Sequence, residues 1–509
     1  MKNIRILIIE PCNQHPTFER VRPNGSLGPA YLIGALRRYG FSADYLDATV
    51  GPIEGDLSKS FFNREPMENG NIRVGMKEVD LYEVISNYDL IATSSIFSVQ
   101  TRMHFEIAKI VKEVERHSNK KILTISGGVN ARALKEHFLS NGFDLIGMGD
   151  GELTIVQIAE QLATGKPDFF KVERVAFRLN GKTVITRGHP SKPKKFIDDL
   201  PHPALDAMPL EHYKVLGLPH GGYPIPGTKF ANIQTSRGCQ DSCTFCHISL
   251  EKQQIEESGN IGNLRWFSNQ RVSEDVTNAY NLGIRRLYFE DDNLFFNKKR
   301  LIMLADSLKR EGLTYSNVNG ANLRFLVTKT DKGYMPDKEF ISTLASFGLD
   351  ELSMPFESRN PIMLKKYATN KFKPEEMNPF GIVEEIKAAG IRPTAGFMIG
   401  FRDESWDSIL TTKNFAAELM KAGLDSVGFG IPVPYPGSLD FEYEMTKSDA
   451  KMHFDSNLLM YTDQMHVRGK PLFHTEVNSE ILQAAVKDFW LELNSKKYTD
   501  ASISTHALS

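Results

Sequence analysis

Cys239, Cys243 and Cys246 lie in one short stretch, T-S-R-G-C-Q-D-S-C-T-F-C-H-I at residues 235–248, and Cys12 is the only other cysteine among 509 residues. Thiolates are soft, anionic donors suited to iron and zinc. Structural zinc usually takes four protein ligands, often as two separated cysteine pairs. A four-iron cluster held wholly by cysteine would also need one more thiol. Three thiols with His247 beside them therefore leave two metal readings. One is a Cys3His zinc site, in which the adjacent Cys246 and His247 would reach a single ion only under strain. The other is an iron–sulfur site with one ligand position left for something else. A disulfide framework does not suit a long chain with four cysteines and no signal peptide.

The elements that must position this loop are βα repeats. Residues 1–165 hold short apolar runs at Ile4–Ile9, Ala43–Leu46, Leu90–Ser95, Ile122–Ser126 and Leu145–Gly147, the pattern of buried parallel strands. Helical patterns at Gly28–Tyr39, Thr101–Arg116, Ala131–Leu139 and Leu153–Leu162 alternate with them, which predicts a doubly wound parallel sheet. Residues 51–85 read as a long insertion after the second strand. Residues 166–228 form a connector, with a hairpin at Val175–Arg187 turning on Asn180-Gly181, then Pro-rich turns through His202 and His220, neither given a catalytic role.

A second series spans residues 229–440. Its strand candidates are Phe230–Gln234, Arg286–Phe289, Ser316–Asn319, Glu351–Pro355, Thr394–Ile399 and Ser426–Ile431, separated by helical patterns such as Lys298–Arg310, Glu375–Ala389 and Trp406–Ala422. Six βα units predict a partial barrel with its chemistry at the carboxyl ends of the strands. The Cys loop follows the first strand, Glu290-Asp291-Asp292-Asn293 the second and Glu357-Ser358-Arg359-Asn360 the fourth. Carboxylates there suit a cationic amine; the plain alternative, for Asn293 and Ser358 above all, is helix capping. Residues 441–509 form a mainly helical tail, with an apolar stripe at Leu482, Val486, Phe489 and Trp490, and with Tyr461, His466 and Arg468 as candidate substrate contacts.

The Cys-x3-Cys-x2-Cys spacing, led by Ser236-Arg237-Gly238, resembles that of radical S-adenosylmethionine (SAM) enzymes. The resemblance implies that Cys239, Cys243 and Cys246 hold three irons of a 4Fe–4S cluster while the amino and carboxylate groups of SAM chelate the fourth. It further implies that Glu290, Asp291 and Asp292 receive the methionyl amine, that Glu357 and Ser358 hold the methionyl or ribose end, and that Phe245 packs beside adenine. Gly396-Phe397-Met398-Ile399-Gly400-Phe401 matches the fifth-strand pattern, although Arg402-Asp403 replaces the more frequent Pro-Gly.

The strand-end segments of residues 1–165 are similar to those of the Rossmann-like (flavodoxin-like) cobalamin-binding domain that precedes many radical SAM barrels. They are Ser26–Leu32, Ser94-Ser95-Ile96-Phe97, Gly127-Gly128-Val129-Asn130 and Gly149-Asp150-Gly151-Glu152. On that resemblance Gly28, Ser94, Ser95, Phe97, Gly127 and Gly128 lie along the corrin and its nucleotide tail. No Asp-x-His-x-x-Gly motif is present, so cobalamin would be held without a protein His ligand. Phe97 then either packs or covers the lower cobalt face.

Hydrophobic residues at 41%, charged residues at 24% and a formal net charge of −2 are ordinary globular values with no footprint for nucleic acid. No apolar run reaches membrane-spanning length, and the cysteine usage suggests a reducing cytoplasm. The reading that follows is a cobalamin-dependent radical SAM methyltransferase acting on an unactivated carbon, fed electrons by a reductant such as flavodoxin or ferredoxin. The alternatives are a radical rearrangement, cyclisation or ring contraction, a radical SAM enzyme that has lost cobalamin, and a non-enzymatic iron–sulfur or zinc sensor or scaffold. Composition and spacing leave the substrate and the oligomeric state unassigned.

Overall fold

The computed structural model describes residues 4–16, 21–23, 25–188, 196–219, 222–317, 319–331, 333–369, 371–464 and 476–495. His220, His466 and Arg468 lie outside them. The chain divides into two compact units. The first comprises Met1–Ala231, Leu250–Asn263 and Ser456–Asp463, and the second Asn232–Ser249, Leu264–Asp455 and Gln464–Ser509. Among the described residues no helix is long and apolar enough to cross a membrane.

The first unit is built on a seven-stranded sheet. Its strands are β1 (Ile6–Glu10), β2 (Ala43–Asp47), β3 (Leu90–Ser94), β4 (Leu123–Gly127), β5 (Leu145–Gly147), β6 (Val175–Leu179) and β7 (Lys182–Ile185), in the order β7-β6-β5-β4-β3-β1-β2. The pairs among β1 to β5 are parallel, and the last two strands add on antiparallel. The apolar run of β1 fits its place between β3 and β2, covered on both faces. Ile6 and Ile8 pack on one face with Ile33, Leu36 and Ile158, while Leu7 and Ile9 pack on the other with Ile107 and Val111. A strand buried on both faces cannot alternate polar and apolar residues.

The hairpin read in the connector is β6 and β7, so it extends this sheet. The insertion at 51–85 supplies Arg64–Pro66 and Asn71–Val74, and Asn71–Val74 pairs with both Arg64–Pro66 and Asn13–Pro16 in a separate three-stranded antiparallel sheet. The order 2-1-3-4-5 of the parallel strands is that of flavodoxin-like folds, whose ligand crevice opens where the strand order reverses, between β1 and β3.

The second unit is organised by an open six-stranded sheet in strictly sequential order. Its strands are β8 (Phe230–Ile233), β9 (Arg286–Phe289), β10 (Thr314–Asn317), β11 (Leu349–Glu357), β12 (Arg392–Met398) and β13 (Ser426–Gly430). The pairs from β9 to β13 are parallel. One face carries Phe289 stacked on Tyr315 and Phe356 stacked on Phe397, with Phe372 edge-on to Phe356 and Phe415 edge-on to Phe397. The other face carries Arg286, Ser316 and Glu351, joined by hydrogen bonds of 3.0 and 2.8 Å. The outer edge at β13 is covered by the helix Ser479–Asn494, whose Asn494 side chain exchanges two hydrogen bonds with the Val427 backbone. The helix expected from Glu375 starts at Pro379 instead, because Asn378 caps it by accepting from Gly381 N.

Candidate functional site

The cysteine loop leaves β8 and is fixed at nearly every residue. Asp291, fully buried, accepts from Thr235 N at 3.1 and 3.0 Å, from Thr235 Oγ1 at 2.7 Å and from Ser236 Oγ at 2.6 Å. Arg300 donates to Thr235 O at 2.8 Å from the other side. Gly238, at φ +77°, donates its N–H to Asp292 Oδ2 at 2.7 Å. Further on, Asp241 accepts from Asn322 Nδ2 at 3.1 Å and Arg324 Nη2 at 2.6 Å. Ser242 N donates to Thr369 Oγ1 at 3.1 Å and Thr244 N to Tyr367 O at 3.0 Å.

The sulfurs have partners of their own. Cys239 Sγ accepts from Asp241 N at 3.4 Å and from Asn293 Nδ2 at 3.7 Å, and Cys243 Sγ accepts from Thr369 Oγ1 at 3.6 Å. Burial pushes all three thiols above their ordinary pKa, Cys246 to about 12. Among the described residues no three His, Cys, Asp or Glu side chains gather as ligands of a single metal ion. Phe245 packs against Met363, Tyr367 and Phe401.

The acidic residues after β9 divide their work. Both Asp291 oxygens serve the loop that leads to the cysteines. Glu290 is only partly buried, and its carboxyl is pushed up to about 7 by burial first and then by the neighbouring Asp292 charge. A carboxyl in that state takes up a cation readily, since an approaching positive charge removes the cost of ionising it. Glu357 ends β11 at φ +62° and accepts from Lys371 Nζ at 3.0 Å. Ser358 is fully buried, 3.3 Å from Thr412 Oγ1, and accepts from Asn360 N at 3.0 Å, while Asn360 itself caps the next helix.

Sequence reasoning missed Thr369, Lys371 and Arg324, which reach the loop from distant segments and carry no motif, and the buried role of Asp241 within the loop itself. For Asn293 a cue existed in F-E-D-D-N. The structure gives it a cysteine sulfur to donate to rather than a helix to cap.

In the first unit, the expected residues lie beside the ligand crevice, at the ends of β3 and β4 and, for Gly28, in the first turn of the helix Leu27–Arg38, while the Ser95 side chain is fully buried. Ser95 N donates to Gly127 O at 2.8 Å, Asn130 N to Ser95 O at 3.1 Å and Asn130 Nδ2 to Ser95 Oγ at 2.9 Å. Gly128, at φ +89°, has no room for a side chain, since a Cβ would lie 2.4 Å from Ser95 O. Gly127 differs, because a Cβ there would meet nothing within 4 Å. Gly28 opens toward Ser94, with Ser94 Oγ 3.5 Å from its Cβ position. Phe97 and Ile96 are 36% and 41% exposed at the same strand end, and Asn130 Oδ1 is buried without a hydrogen-bond partner. Open backbone at Gly127 and the exposed apolar side chains of Ile96 and Phe97 fit a large ligand with an apolar face.

Residues 233–416 match the model of the radical SAM superfamily, as the cysteine spacing led us to expect. An uncharacterized methyltransferase of Pyrococcus horikoshii is 27% identical over 96% of this chain and 93% of its own length. Cytidylyl-2-hydroxyethylphosphonate methyltransferase of Streptomyces wedmorensis is 23% identical over 85% of this chain and 80% of its own. Among solved structures, the cobalamin-dependent SAM radical enzyme OxsB, with aqua-cobalamin and SAM bound, superposes with a TM-score of 0.60 at 18% identity. That match covers 92% of this chain and 57% of OxsB, and it shares the fold of both units.

Proposed function

We propose that this chain, a radical SAM enzyme through residues 233–416, is a cobalamin-dependent methyltransferase that acts on an unactivated carbon. Cys239, Cys243 and Cys246 would each hold one iron of a 4Fe–4S cluster, which asks for thiolates spread along a loop rather than gathered on one ion. Glu290, with Asp292 beside it, would receive the methionyl amine of SAM. Phe245 would lie against adenine, and Glu357 and Ser358 would bound the methionyl or ribose end. The crevice of Gly28, Ser94, Ser95, Phe97, Gly127 and Gly128 would hold cobalamin without a histidine ligand. When bound, the cluster supplies the electron that cleaves SAM, and cobalamin supplies the methyl group.

The chain's own part is binding and exclusion. The loop is anchored by Asp291, Asp292, Asp241 and Thr369, so the thiols are held in place before any metal arrives, which spares the cost of ordering them. Glu290, once ionised, would accept a hydrogen bond from the amine. Phe245, Tyr367 and Phe401 form an apolar wall that keeps water away. The observation that carries the proposal is the cysteine loop itself, three thiols and their donors fixed from four separate segments beside a carboxyl poised for a cation. The methyl outcome is supported by the relatives' names.

Anaerobic reconstitution of the full chain tests it. Wild type should bind about four irons and show a spectrum that SAM perturbs, whereas Cys243→Ala should lose both. With a low-potential reductant such as flavodoxin or ferredoxin, cobalamin and substrate, methylated product is expected. Rearranged product would overturn methyl transfer, and wild-type protein that never cleaves SAM under reducing conditions would overturn the whole reading.

A further inference from the structure

Lys371 stands close to the cysteine loop and takes no part in anchoring it. Its Nζ donates to Glu357 Oε1 at 3.0 Å, and both side chains are largely buried, 18% and 9% exposed. The same ammonium lies 5.8 Å from the centre of the Phe245 ring, between the second and third cysteines. A lysine buried this far normally costs stability, so the fold must hold it there for a reason or against a partner.

The backbone has been bent on both sides to make the pair. A register irregularity between Pro355 and Glu357 turns the end of β11, and Glu357 sits at φ +62°. Two residues before Lys371, Thr369 sits at φ +53° and donates to Cys243 Sγ. Among the described residues, these are the two non-glycine positions of the second unit in left-handed conformation. Bulges and left-handed non-glycine residues re-aim side chains at functional sites. Here Thr369 reaches the sulfur of Cys243, and Glu357 reaches Lys371.

We propose that Lys371, anchored by Glu357, is a fixed positive charge that offsets the thiolates of Cys239, Cys243 and Cys246 and raises the reduction potential of the cluster they hold. The inference rests on the iron–sulfur reading above. Cluster potentials follow net charge, hydrogen bonds to sulfur and solvent exposure, and Lys371 acts on the first of these. Its ammonium lies 5.8 Å from the ring of Phe245, which stands between Cys243 and Cys246, and Thr369 two residues earlier donates to Cys243 Sγ at 3.6 Å. The 3.0 Å bond to the Glu357 carboxylate holds Lys371 charged. Lys371 is thus a positioning residue for charge, acting through the ligands rather than on substrate.

The test is a potentiometric titration of the reconstituted cluster, followed by paramagnetic resonance in the absence of SAM, so that no contact with the cofactor's carboxylate enters. Lys371→Met should keep about four irons. At a fixed poise its reduced-to-oxidised ratio should fall about tenfold, equivalent to a potential about 59 mV lower for one electron. Lys371→Arg, which keeps the charge, should stay near wild type. Glu357→Gln should move the opposite way, because it leaves the cation uncompensated. A four-iron Lys371→Met protein with the wild-type ratio would overturn the proposal, as would Lys371→Arg falling as far as Lys371→Met. Should Lys371→Met fail to take up iron, Glu357→Gln and Lys371→Arg decide, and an unmoved Glu357→Gln sinks the idea. Wild-type protein that takes up no cluster would instead bring down the iron–sulfur reading, and this inference with it.

Discussion

The cysteine loop and the crevice at the ends of β3 and β4 occupy corresponding places, each beyond the carboxyl ends of a parallel sheet, yet they are built from opposite materials. The loop is pinned by charged and buried side chains, with Asp291, Asp292, Asp241, Arg300 and Arg324 all spending hydrogen bonds on it. The crevice is pinned mostly by backbone, through Ser95 and Gly127, with a single amide side chain, Asn130, as its brace. A small, charged, reactive ligand must be met by atoms in exact places, so its loop is rigidified before binding. A broad ligand is met by surface, so its site is mainly room. That difference predicts how each will break.

The largest effect should come from Asp291→Ala. It strands the donors of Thr235 and Ser236 and leaves the Arg300 charge without its counter-ion. Removing one partner from such a buried network costs about 3–5 kcal/mol. Denaturant unfolding of the apo chain should show that loss, and iron uptake should fall with it. Asn130→Ala in the crevice should cost only about 1 kcal/mol, the ordinary value of a neutral hydrogen-bonded side chain. Equal losses from the two variants would erase the distinction between the sites.

A smaller effect separates two neighbouring glycines. Gly128→Ala forces a side chain into a left-handed backbone and against Ser95 O, so it should destabilise the first unit by about 2–3 kcal/mol. Gly127→Ala meets open space and should change stability by less than about 0.5 kcal/mol. If that space receives a corrin, Gly127→Ala should nonetheless lower the cobalamin retained after gel filtration. Unchanged retention in a stable Gly127→Ala protein would remove that residue from the ligand surface.

The same contrast decided what was legible in the sequence. The loop announced itself because thiols at fixed spacing have few other uses, and the strands around it because buried parallel strands are unbroken apolar runs. Lys371 and Thr369 stayed hidden, since they reach the loop only through the fold, from beyond the helix Pro361–Tyr367, and neither residue type is unusual where it stands. Asp291 was visible as acidic but not as a buttress, because a carboxylate facing a ligand and one facing its own loop read alike. The crevice was legible only as a run of strand-end serines and glycines. Which glycine is tight and which is open depends on Ser95, placed by a neighbouring strand. Likewise the Asn180-Gly181 turn marked a hairpin without revealing that its strands extend the first sheet, because strand pairing is a tertiary choice.

Glu290 gives the subtlest way to sharpen the comparison, since its carboxyl, unlike those of Asp291 and Asp292, is not spent on the cysteine loop. Its carboxyl has an ordinary pKa of 4.5 and is raised to about 7 in the folded chain, by burial and by Asp292. The folded state therefore binds more protons than the unfolded state between those values. Stability present below about pH 4.5 is lost progressively as pH rises toward 7, and is level above it. Glu290→Gln never ionises, so in the apo protein it should be more stable than wild type at pH 8, by about 1–2 kcal/mol once solvent screening is allowed for. The two proteins should converge near pH 4. Addition of SAM to the reconstituted protein should reverse the order at pH 8, because the sulfonium cofactor's amine would stabilise the ionised carboxylate and find no charge in the Gln variant. Thermal unfolding at both pH values, with and without SAM, reads all of this. A Glu290→Gln protein that SAM stabilises as much as wild type would show that the amine is met elsewhere, and would leave Asp292 as the acidic residue of the loop to carry it.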